Sequence, residues 1–494
     1  MKKQVLFILF YFYIVLTFGQ QITDSSLSTI KYQTQIQTGF TSNDQVPFWL
    51  RSNNFGSIPT DGVSLSILGS AEKPYSLNKK KYDWGFGVEG RGNIGTNQNL
   101  TLIEGYLKAK VGVIELKAGR SKDMGGLVDS SLSSGSFNLS GNALGIPKVQ
   151  LSIPDFQEIQ FGNHLIAIKG SFSHGWMGTL PIQYLKSPVT EATSYFHEST
   201  LFARFGKPNW RLRLYGGINH EVIWGSDKAI FQEQYNLNQT QAFYYVVTGK
   251  KYKGADDISK IGNHLGSIDV GLEYKLDKVD IKLYRQNFYE KGAIAYMANI
   301  LDGLNGISFT NKNIQYKNYW KKILVEVFYS KNQAGEEDSK ATPSGPEYYY
   351  NHAVYTNGYS YKGLGLGTPL ITPYNVARSD LPNAPINYFI NNRVLALHTG
   401  AEGRVSEVNF KIKLTYSRNS GEYRTSDNGY WFNGARYTRI PVDGIFSAVN
   451  QFSGYIDLEK YLKNGFHVGG VVAIDRGMLL YNSIGGVLKI SKSW

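Results

Sequence analysis

The chain of 494 residues contains no cysteine and no long hydrophobic helix. Without cysteine it forms no disulfide bonds, and it cannot be a lipoprotein, which needs a cysteine at its cleavage site. Beyond the N-terminal segment, no stretch reaches the roughly 18 consecutive apolar residues that indicate a transmembrane helix. Charged residues are also sparse, at 18% of the chain.

The N-terminal segment has the pattern of a secretory signal peptide. Two lysines precede an unbroken apolar and aromatic run, Val5–Phe18, and Thr17 and Gly19 supply the small residues that a signal peptidase requires. The run is too short to cross a hydrocarbon core of about 30 Å as a helix. We therefore predict that residues 1–20 are a signal peptide and that the chain is exported.

Aromatic residues and glycine are abundant instead. The chain has 35 Tyr, 26 Phe, 8 Trp and 53 Gly, so glycine exceeds its usual share of about 7%. Apolar and polar residues alternate in several segments, among them Val408–Ser417 and Val279–Tyr284. Successive side chains of a strand point to opposite faces, so each such strand has an apolar and a polar face. A soluble β-sandwich or propeller and a membrane β-barrel both satisfy this pattern.

The connections between these segments favour the barrel. Short connections lie near residues 206–209, 275–278, 317–321, 404–407 and 462–465, and they alternate with long ones at 175–197, 221–263, 287–307, 331–392 and 419–451. Outer-membrane barrels have short periplasmic turns and long extracellular loops, whereas soluble domains rarely contain several long irregular loops. We predict an all-β fold, a transmembrane antiparallel barrel of about 18 strands, in the outer membrane of a Gram-negative-type envelope.

The C-terminal segment also fits this prediction. Leu488, Ile490 and Trp494 share one face of a last strand. A terminal strand ending on an aromatic residue resembles the signal recognised by the barrel-insertion machinery, which we expect as a partner during assembly; an ordinary edge strand is the alternative.

Several segments between residue 37 and about residue 310 have the order and spacing of a known family. They are Thr38–Gly56, Gly119–Pro147, Ser173–Gly178, His220–Gly225, Gly262–Gly266, Tyr284–Glu290 and Asn299–Ser308. Together they resemble the capsule-assembly Wzi family of outer-membrane proteins, in the form found in Bacteroidetes-like bacteria. The resemblance implies a barrel closed by its loops and an N-terminal helical plug, and a non-enzymatic lectin that holds capsular polysaccharide at the cell surface.

One departure from the family concerns the plug. Too few residues separate the signal peptide from the PFWL segment for a full helical bundle. We expect a short helix inside the barrel, with Pro47, Phe48, Trp49 and Leu50 as plug residues. The predicted organisation is a signal peptide at 1–20, an N-terminal strand and plug segment at 21–61, and a barrel at 62–494.

Sugar binding needs flat apolar faces together with amides or carboxylates that orient hydroxyl groups. Residues of these types lie in or near the predicted extracellular loops. The candidates for polysaccharide binding are His174, Trp176, His220, Trp224, Gln286, Asn287, Glu290, Asn299 and Asp302. The alternatives are interfacial anchors for the tryptophans, structural hydrogen bonds for the histidines, and turn formation for Asn and Asp beside glycine.

Signals for catalysis are weak. The chain has no G-x-S-x-G, H-E-x-x-H or Walker motif, and we predict no enzyme activity, no cofactor and no metal site. The net charge of +13 favours anionic partners, such as capsular or other surface polysaccharide, or outer-membrane lipid and lipopolysaccharide. We expect a monomer that binds no nucleic acid. The alternative function is an outer-membrane channel or a scaffold for another envelope assembly machine.

Overall fold

A computed structural model describes residues 30–77, 80–160, 162–252, 260–433, 435–438 and 440–494. The predicted signal peptide, residues 1–20, lies outside the described residues. Within these ranges, no helix has the length and apolar character needed to cross a membrane.

The described residues form one closed sheet of 18 antiparallel strands, which confirms the predicted fold class. The first strand pairs with both the second and the last, and this closes the barrel. In chain order, β1–β18 are Lys31–Thr41, Ser64–Lys73, Tyr82–Gly95, Asn99–Val111, Ile114–Arg120, Lys148–Glu158, Ile166–Pro181, Glu191–Phe205, Leu212–Trp224, Asn263–Lys275, Val279–Tyr289, Gly303–Asn311, Tyr319–Tyr329, Val394–Val405, Val408–Asn419, Val449–Tyr461, Phe466–Gly477 and Ser483–Ser493. The barrel therefore begins at Lys31, before the boundary predicted at residue 62.

Helices and short hairpins lie in the connections. The α-helices are α1 (Phe48–Arg51), α2 (Asp227–Phe231) and α3 (Gln239–Thr248). The 3-10 helices are Gln232–Gln234, Ala293–Tyr296, Tyr374–Val376, Tyr423–Thr425 and Lys463–Gly465. The short hairpins pair Ser360–Tyr361 with Leu364–Gly365, Thr372–Pro373 with Phe389–Asn391, and Tyr430–Phe432 with Ala435–Tyr437.

Short and long connections leave opposite ends of the barrel. One end, the turn end, carries connections such as 406–407 and 462–465; the other, the loop end, carries 225–262, 330–393 and 420–448. Two predicted long connections are shorter than expected. The observed connections are 182–190 instead of 175–197 and 290–302 instead of 287–307, because the flanking strands β7, β8, β11 and β12 extend into the predicted loops.

The outer wall of the barrel is apolar. On β9, Leu212, Leu214 and Ile218 are exposed, while Arg213 and Asn219 point inward and are buried. This arrangement reverses that of a soluble protein, and lipid is the solvent that stabilises exposed apolar side chains of this kind.

The connection between β5 and β6, residues 121–147, folds into the barrel; we call it the lumen loop. Leu132 and Phe137 are fully buried, and the ring of Phe137 stacks on Phe288 of β11 with centroids 4.1 Å apart. An inward carboxylate of β13, Glu326, accepts hydrogen bonds from Ser133 Oγ and from the Ser134 amide, each at 2.7 Å. Hydrogen bonds to a charged acceptor are among the stronger ones, so they hold the loop in place.

Helix α1 occupies another part of the lumen. Trp49 Nε1 donates to Thr415 Oγ1 of β15 at 3.0 Å, and the Phe48 amide donates to Asp475 Oδ2 of β17 at 2.8 Å. Pro47 lies so close to β18 that a Cβ atom at Gly485 would be 2.7 Å from its Cδ. Phe48, Trp49 and Leu50 are buried, so the predicted plug segment lies inside the barrel, where it shares the lumen with the lumen loop.

Candidate functional site

The nine predicted polysaccharide-binding residues do not form one site. Successive residues of a strand face opposite sides, so Gln286 and Asn287 of β11 point to the lumen and to the outer wall respectively. His174, Trp176, His220, Trp224 and Asn287 lie on the outer wall, whereas Gln286, Glu290, Asn299 and Asp302 lie in the lumen or among the loops.

Most of the outer-wall residues pack under a segment that folds back along the outside of the barrel. This outer flap, residues 225–252, contains α3, whose Ala242 and Val246 pack against Val222 and Trp224 of β9. A capping box at Asn238 and a left-handed Gly249 define the ends of α3. The flap therefore covers an aromatic surface that the sequence suggested for sugar stacking.

The contacts of these residues are those of a packed wall. The ring of His174 lies 5.8 Å from Trp176 and 5.5 Å from Trp224, and His220 Nε2 is hydrogen-bonded to His264 Nδ1 at 2.9 Å. Trp176 keeps 49% of its surface exposed. Asn287 has a different partner on the outer wall. Its Oδ1 accepts a hydrogen bond from Arg285 Nε at 2.6 Å.

Three of the remaining candidates organise the lumen and the loops. Gln286 Oε1 accepts from the Phe137 amide of the lumen loop at 3.1 Å. Asn299 Nδ2 donates to Tyr349 OH at 3.0 Å, and the same hydroxyl donates to Asp302 Oδ2 at 2.7 Å. Asp302 also accepts backbone amides of the 330–393 connection, and burial raises its pKa to about 6. Each of these three side chains therefore has a structural partner, although Asn299 Oδ1 is buried without one among the described residues.

A cavity of about 550 Å³ opens at the loop end. We call it the outer cleft; four connections, 225–262, 290–302, 330–393 and 420–448, supply most of its wall. Of the nine predicted residues, Glu290 lines it. Its lining includes Lys260, Glu290, Lys291, Tyr348, His352 and Arg424.

Two neighbouring glutamates in this wall have different roles. Glu347 accepts backbone hydrogen bonds from Glu290, Lys291, Gly292 and Ala293, so its charge is well stabilised. Glu290 Oε2 accepts from the Tyr348 amide at 3.1 Å, but Oε1 is buried without a partner among the described residues. Burial and the charge of Glu347 raise the pKa of Glu290 to about 8. Glu290 is therefore mainly protonated at neutral pH and can donate a hydrogen bond.

An aromatic pair lies beside the glutamates. The rings of Tyr348 and Tyr423 stack with centroids 4.8 Å apart, and the Arg393 guanidinium lies 4.4 Å from the Tyr423 ring. The Tyr348 hydroxyl is hydrogen-bonded to Glu422 and Asn387. These contacts hold the half-buried Tyr348 ring in a fixed position in the cleft wall.

Other groups in the cleft keep unused hydrogen-bonding capacity. Asn263 Nδ2 and Asp227 Oδ2 are buried without partners among the described residues. Burial and the neighbouring Lys291 lower the pKa of His352 to about 3, so its imidazole is neutral. Burial also lowers the pKa of Lys260. In the described part of the chain, no group of three side chains is arranged to hold a metal ion.

Most of the residues that line the cleft were not among the predicted binding residues. One available signal was the run Glu347–His352, EYYYNH, in the longest connection. Tyr349 and Tyr350 of this run are fully buried and anchor the loop, while Tyr348 reaches the cleft. The lysines had no local signal, since their position depends on how separate loops meet.

Comparison with known proteins adds structural likeness only. No family model and no curated protein sequence matches the chain. Among solved structures, it is similar to Wzi of Escherichia coli, described as an outer membrane protein involved in group 1 capsule assembly and a carbohydrate-binding β-barrel, with a TM-score of 0.54 and 12% identity over 93% of this chain and 83% of that chain. Pseudomonas aeruginosa OccK5 (OpdH) has a TM-score of 0.45 and 9% identity over 95% of this chain and 99% of that chain.

The likeness to Wzi concerns the fold, and it agrees with the apolar outer wall. Short turns of outer-membrane barrels face the periplasm and long loops face outward. The turn end is therefore periplasmic, and the outer cleft opens at the cell surface. The chain is a closed β-barrel of 18 strands in the outer membrane.

Proposed function

We propose that the protein binds capsular or another surface polysaccharide in the outer cleft and retains it at the cell surface without converting it chemically. The observation that carries this proposal is the contrast between a filled lumen and an open extracellular cleft with unpaired polar groups. The lumen loop and α1 occupy the barrel interior, whereas Glu290, Asn263 and Asp227 keep open hydrogen-bonding atoms in the cleft wall.

The size and chemistry of the cleft suit a sugar. Ligand pockets typically measure about 300–1,000 Å³, and the outer cleft measures about 550 Å³. Tyr348 supplies an aromatic surface, and amide, carboxyl and ammonium groups supply donors and acceptors for hydroxyl groups. Repeated units of a polymer multiply such weak contacts through their effective concentration, so modest affinity per unit is enough for retention.

The likeness to Wzi supports the same proposal, because that structure is described as carbohydrate-binding. Together with the sequence resemblance, it supports placing the chain in the Wzi family. The alternative is a channel or a scaffold for another assembly machine. A channel requires the lumen loop to leave its position for transport. The buried hydrogen bonds of Glu326 and Gln286 to that loop oppose this.

A pair of matched substitutions tests the proposal. Ala353 lines the cleft, and Ala353→Trp should fill it without removing a hydrogen bond. Ala341, in the same connection, is exposed and does not line the cleft, so Ala341→Trp is the control. We expect Ala353→Trp to reduce binding on a glycan array and to increase the capsule shed from cells, and Ala341→Trp to leave both unchanged.

Three measurements can contradict the proposal. Steady single-channel conductance of the wild-type protein in planar bilayers favours the channel. Release of products from a labelled polysaccharide by the purified protein shows that it is an enzyme. Normal capsule retention in cells lacking the protein, together with no binding on the array, removes the polysaccharide-binding function.

A further inference from the structure

The barrel wall is incomplete at one place on the rim of the loop end. Strand β5 ends at Arg120, so Asn99–Glu104 of β4 pairs with β3 alone among the described strands. The connection between β3 and β4 is short, 96–98, and does not cover this rim. Leu100 and Leu102 point to the outer wall, and Leu100 is 86% exposed. An unpaired strand edge beside exposed apolar side chains is a typical docking surface.

A cavity of about 240 Å³ lies beside this edge; we call it the rim cavity. Its wall comes from β4, from the end of β5 and from three connections, 42–63, 121–147 and 330–393. Four leucines and two cations account for most of its lining, namely Leu100, Leu102, Leu144, Leu364, Arg120 and Lys362. The described lining contains no carboxylate. The rim cavity therefore combines an apolar surface with positive charge.

The first cation, Arg120, is held by the unpaired edge itself. Its Nη1 donates to the Leu102 carbonyl oxygen at 2.9 Å, while its Nε is buried without a partner among the described residues. Glu104 of the same edge accepts a hydrogen bond from the Lys122 amide at 2.9 Å. A guanidinium has five N–H donors, so Arg120 keeps donors for an anion besides the one that it gives to β4.

The second cation, Lys362, lies at the tip of a fixed hairpin. In this hairpin, residues 360–361 pair with 364–365, and both tip residues have positive φ, 51° at Lys362 and 83° at Gly363. Asn or Gly is usual at the first of these two positions, and a lysine there is uncommon. The Gly363 carbonyl oxygen accepts from Asn375 Nδ2 at 3.1 Å and from Tyr388 OH at 2.9 Å. These bonds hold the exposed Lys362 at the rim.

We infer that the rim cavity binds a phosphate group of lipid A, the membrane anchor of lipopolysaccharide in the outer leaflet. Arg120 and Lys362 donate hydrogen bonds to the phosphate, and Leu100 and Leu102 contact the start of the acyl chains. Arginine matches the geometry of phosphate, and basic pockets of membrane proteins bind anionic head groups. Leucines on the lipid-facing wall favour such an amphiphile over a free sugar.

The size of the cavity agrees with a bound head group. Pockets that enclose a whole ligand measure about 300–1,000 Å³, and the rim cavity is smaller, at about 240 Å³. The phosphate therefore enters the cavity while the acyl chains remain in the bilayer. This lipid site goes beyond the proposed function, because the rim cavity and the outer cleft share no lining residue.

The test titrates the purified barrel in detergent micelles with lipid A and with dephosphorylated lipid A, and native mass spectrometry counts the bound lipids. We expect lipid A to bind about tenfold more tightly than the dephosphorylated form, since charge-assisted hydrogen bonds are the stronger ones. Arg120→Gln and Lys362→Gln should each weaken lipid A binding about tenfold, and Arg120→Lys should restore part of the loss. Lys340→Gln, at an exposed position of the same connection as Lys362 but outside the cavity, is the control.

Two further measurements separate the acyl chains from the phosphate. Leu100→Asn, at an exposed position, should weaken lipid A binding several-fold, and inorganic phosphate in excess should not displace the lipid. Heat-modifiable gel mobility confirms that each variant is folded. Equal binding of the two lipids, or lipid A binding that is insensitive to both cation substitutions, overturns the inference. Displacement by inorganic phosphate overturns it as well, because the site would then bind free phosphate.

Discussion

The lumen and the outer cleft are both rich in buried polar groups, but they use them differently. In the lumen, Glu326 accepts hydrogen bonds from Ser133, Ser134 and Tyr284. In the cleft, Glu290 leaves one carboxyl oxygen without a partner among the described residues. An unpaired buried polar group costs about 1–3 kcal/mol. The comparison therefore separates groups that hold the fold from groups that a ligand can use.

The largest loss of stability is expected from a substitution in the lumen. Glu326→Leu leaves the hydroxyls of Ser133, Ser134 and Tyr284 and the Ser134 amide without their acceptor. At 1 kcal/mol or more for each donor, we expect a loss of about 4 kcal/mol in the free energy of unfolding, measured by tryptophan fluorescence in urea, and a rise in bilayer conductance as the lumen loop is released. Glu326→Gln keeps the shape of the side chain and one acceptor oxygen, so it should lower the free energy of unfolding by less. Wild-type stability of the Leu variant would show that the loop is held by other contacts.

A smaller loss is expected at the plug helix. Trp49 is 3% exposed, donates to Thr415 and lies 4.7 Å beneath the Lys413 ammonium. Trp49→Ala should therefore cost about 3 kcal/mol, as is usual for a buried aromatic residue, in the same urea titration. Equal stability of the variant and the wild type would mean that the contacts of Trp49 in α1 do not stabilise the barrel.

In the cleft, we expect substitution of Glu290 to change how the free energy of unfolding depends on pH. The folded state holds a proton on Glu290 that the unfolded chain releases near pH 4.5, and it keeps that proton up to about pH 8. Stability should therefore fall with rising pH across this window, by up to about 1 kcal/mol per pH unit, and level off above it. Glu290→Gln should flatten this slope in urea titrations at several pH values. An unchanged slope would place the titration on another group.

The smallest effect is expected on the outer wall. Trp176 is about half exposed and contacts His174 at its edge. Trp176→Ala should change stability by less than about 1 kcal/mol and leave glycan binding unchanged. A clear loss of glycan binding in this variant would move the binding site from the outer cleft to the outer wall and the flap.

The alternation of apolar and polar residues was enough to predict the barrel, because strand periodicity and the lengths of connections are local properties. The same alternation excludes a common site for Gln286 and Asn287, because consecutive residues of β11 face opposite sides of the barrel wall. The position of the lumen loop was not predictable in this way, since it depends on contacts with Glu326 and Gln286, far away in the chain.

The cleft was not predictable from the sequence either, because its residues are far apart in the chain. Lys260, Lys291 and Tyr348 belong to three different connections, and nothing in the local pattern brings them together. Glu290 was selected for its residue type, and it lies in the cleft wall. Asn299 and Asp302 were selected on the same grounds, and their side chains form hydrogen bonds with the 330–393 connection. Residue type indicates what a side chain can bind, while its partners in the fold decide whether it is free to do so.

The pairing of β1 with β18 also sets the order of events in biogenesis. These strands are neighbours in the sheet, yet they lie at opposite ends of the sequence, with Gln33 opposite Ser493. Contacts between distant segments form late, because the whole intervening chain must first be brought into place. Until the final strand arrives, the sheet has two open edges, and open edges invite pairing with other chains. The cell must therefore shield this protein from the moment of export until its last strand is inserted.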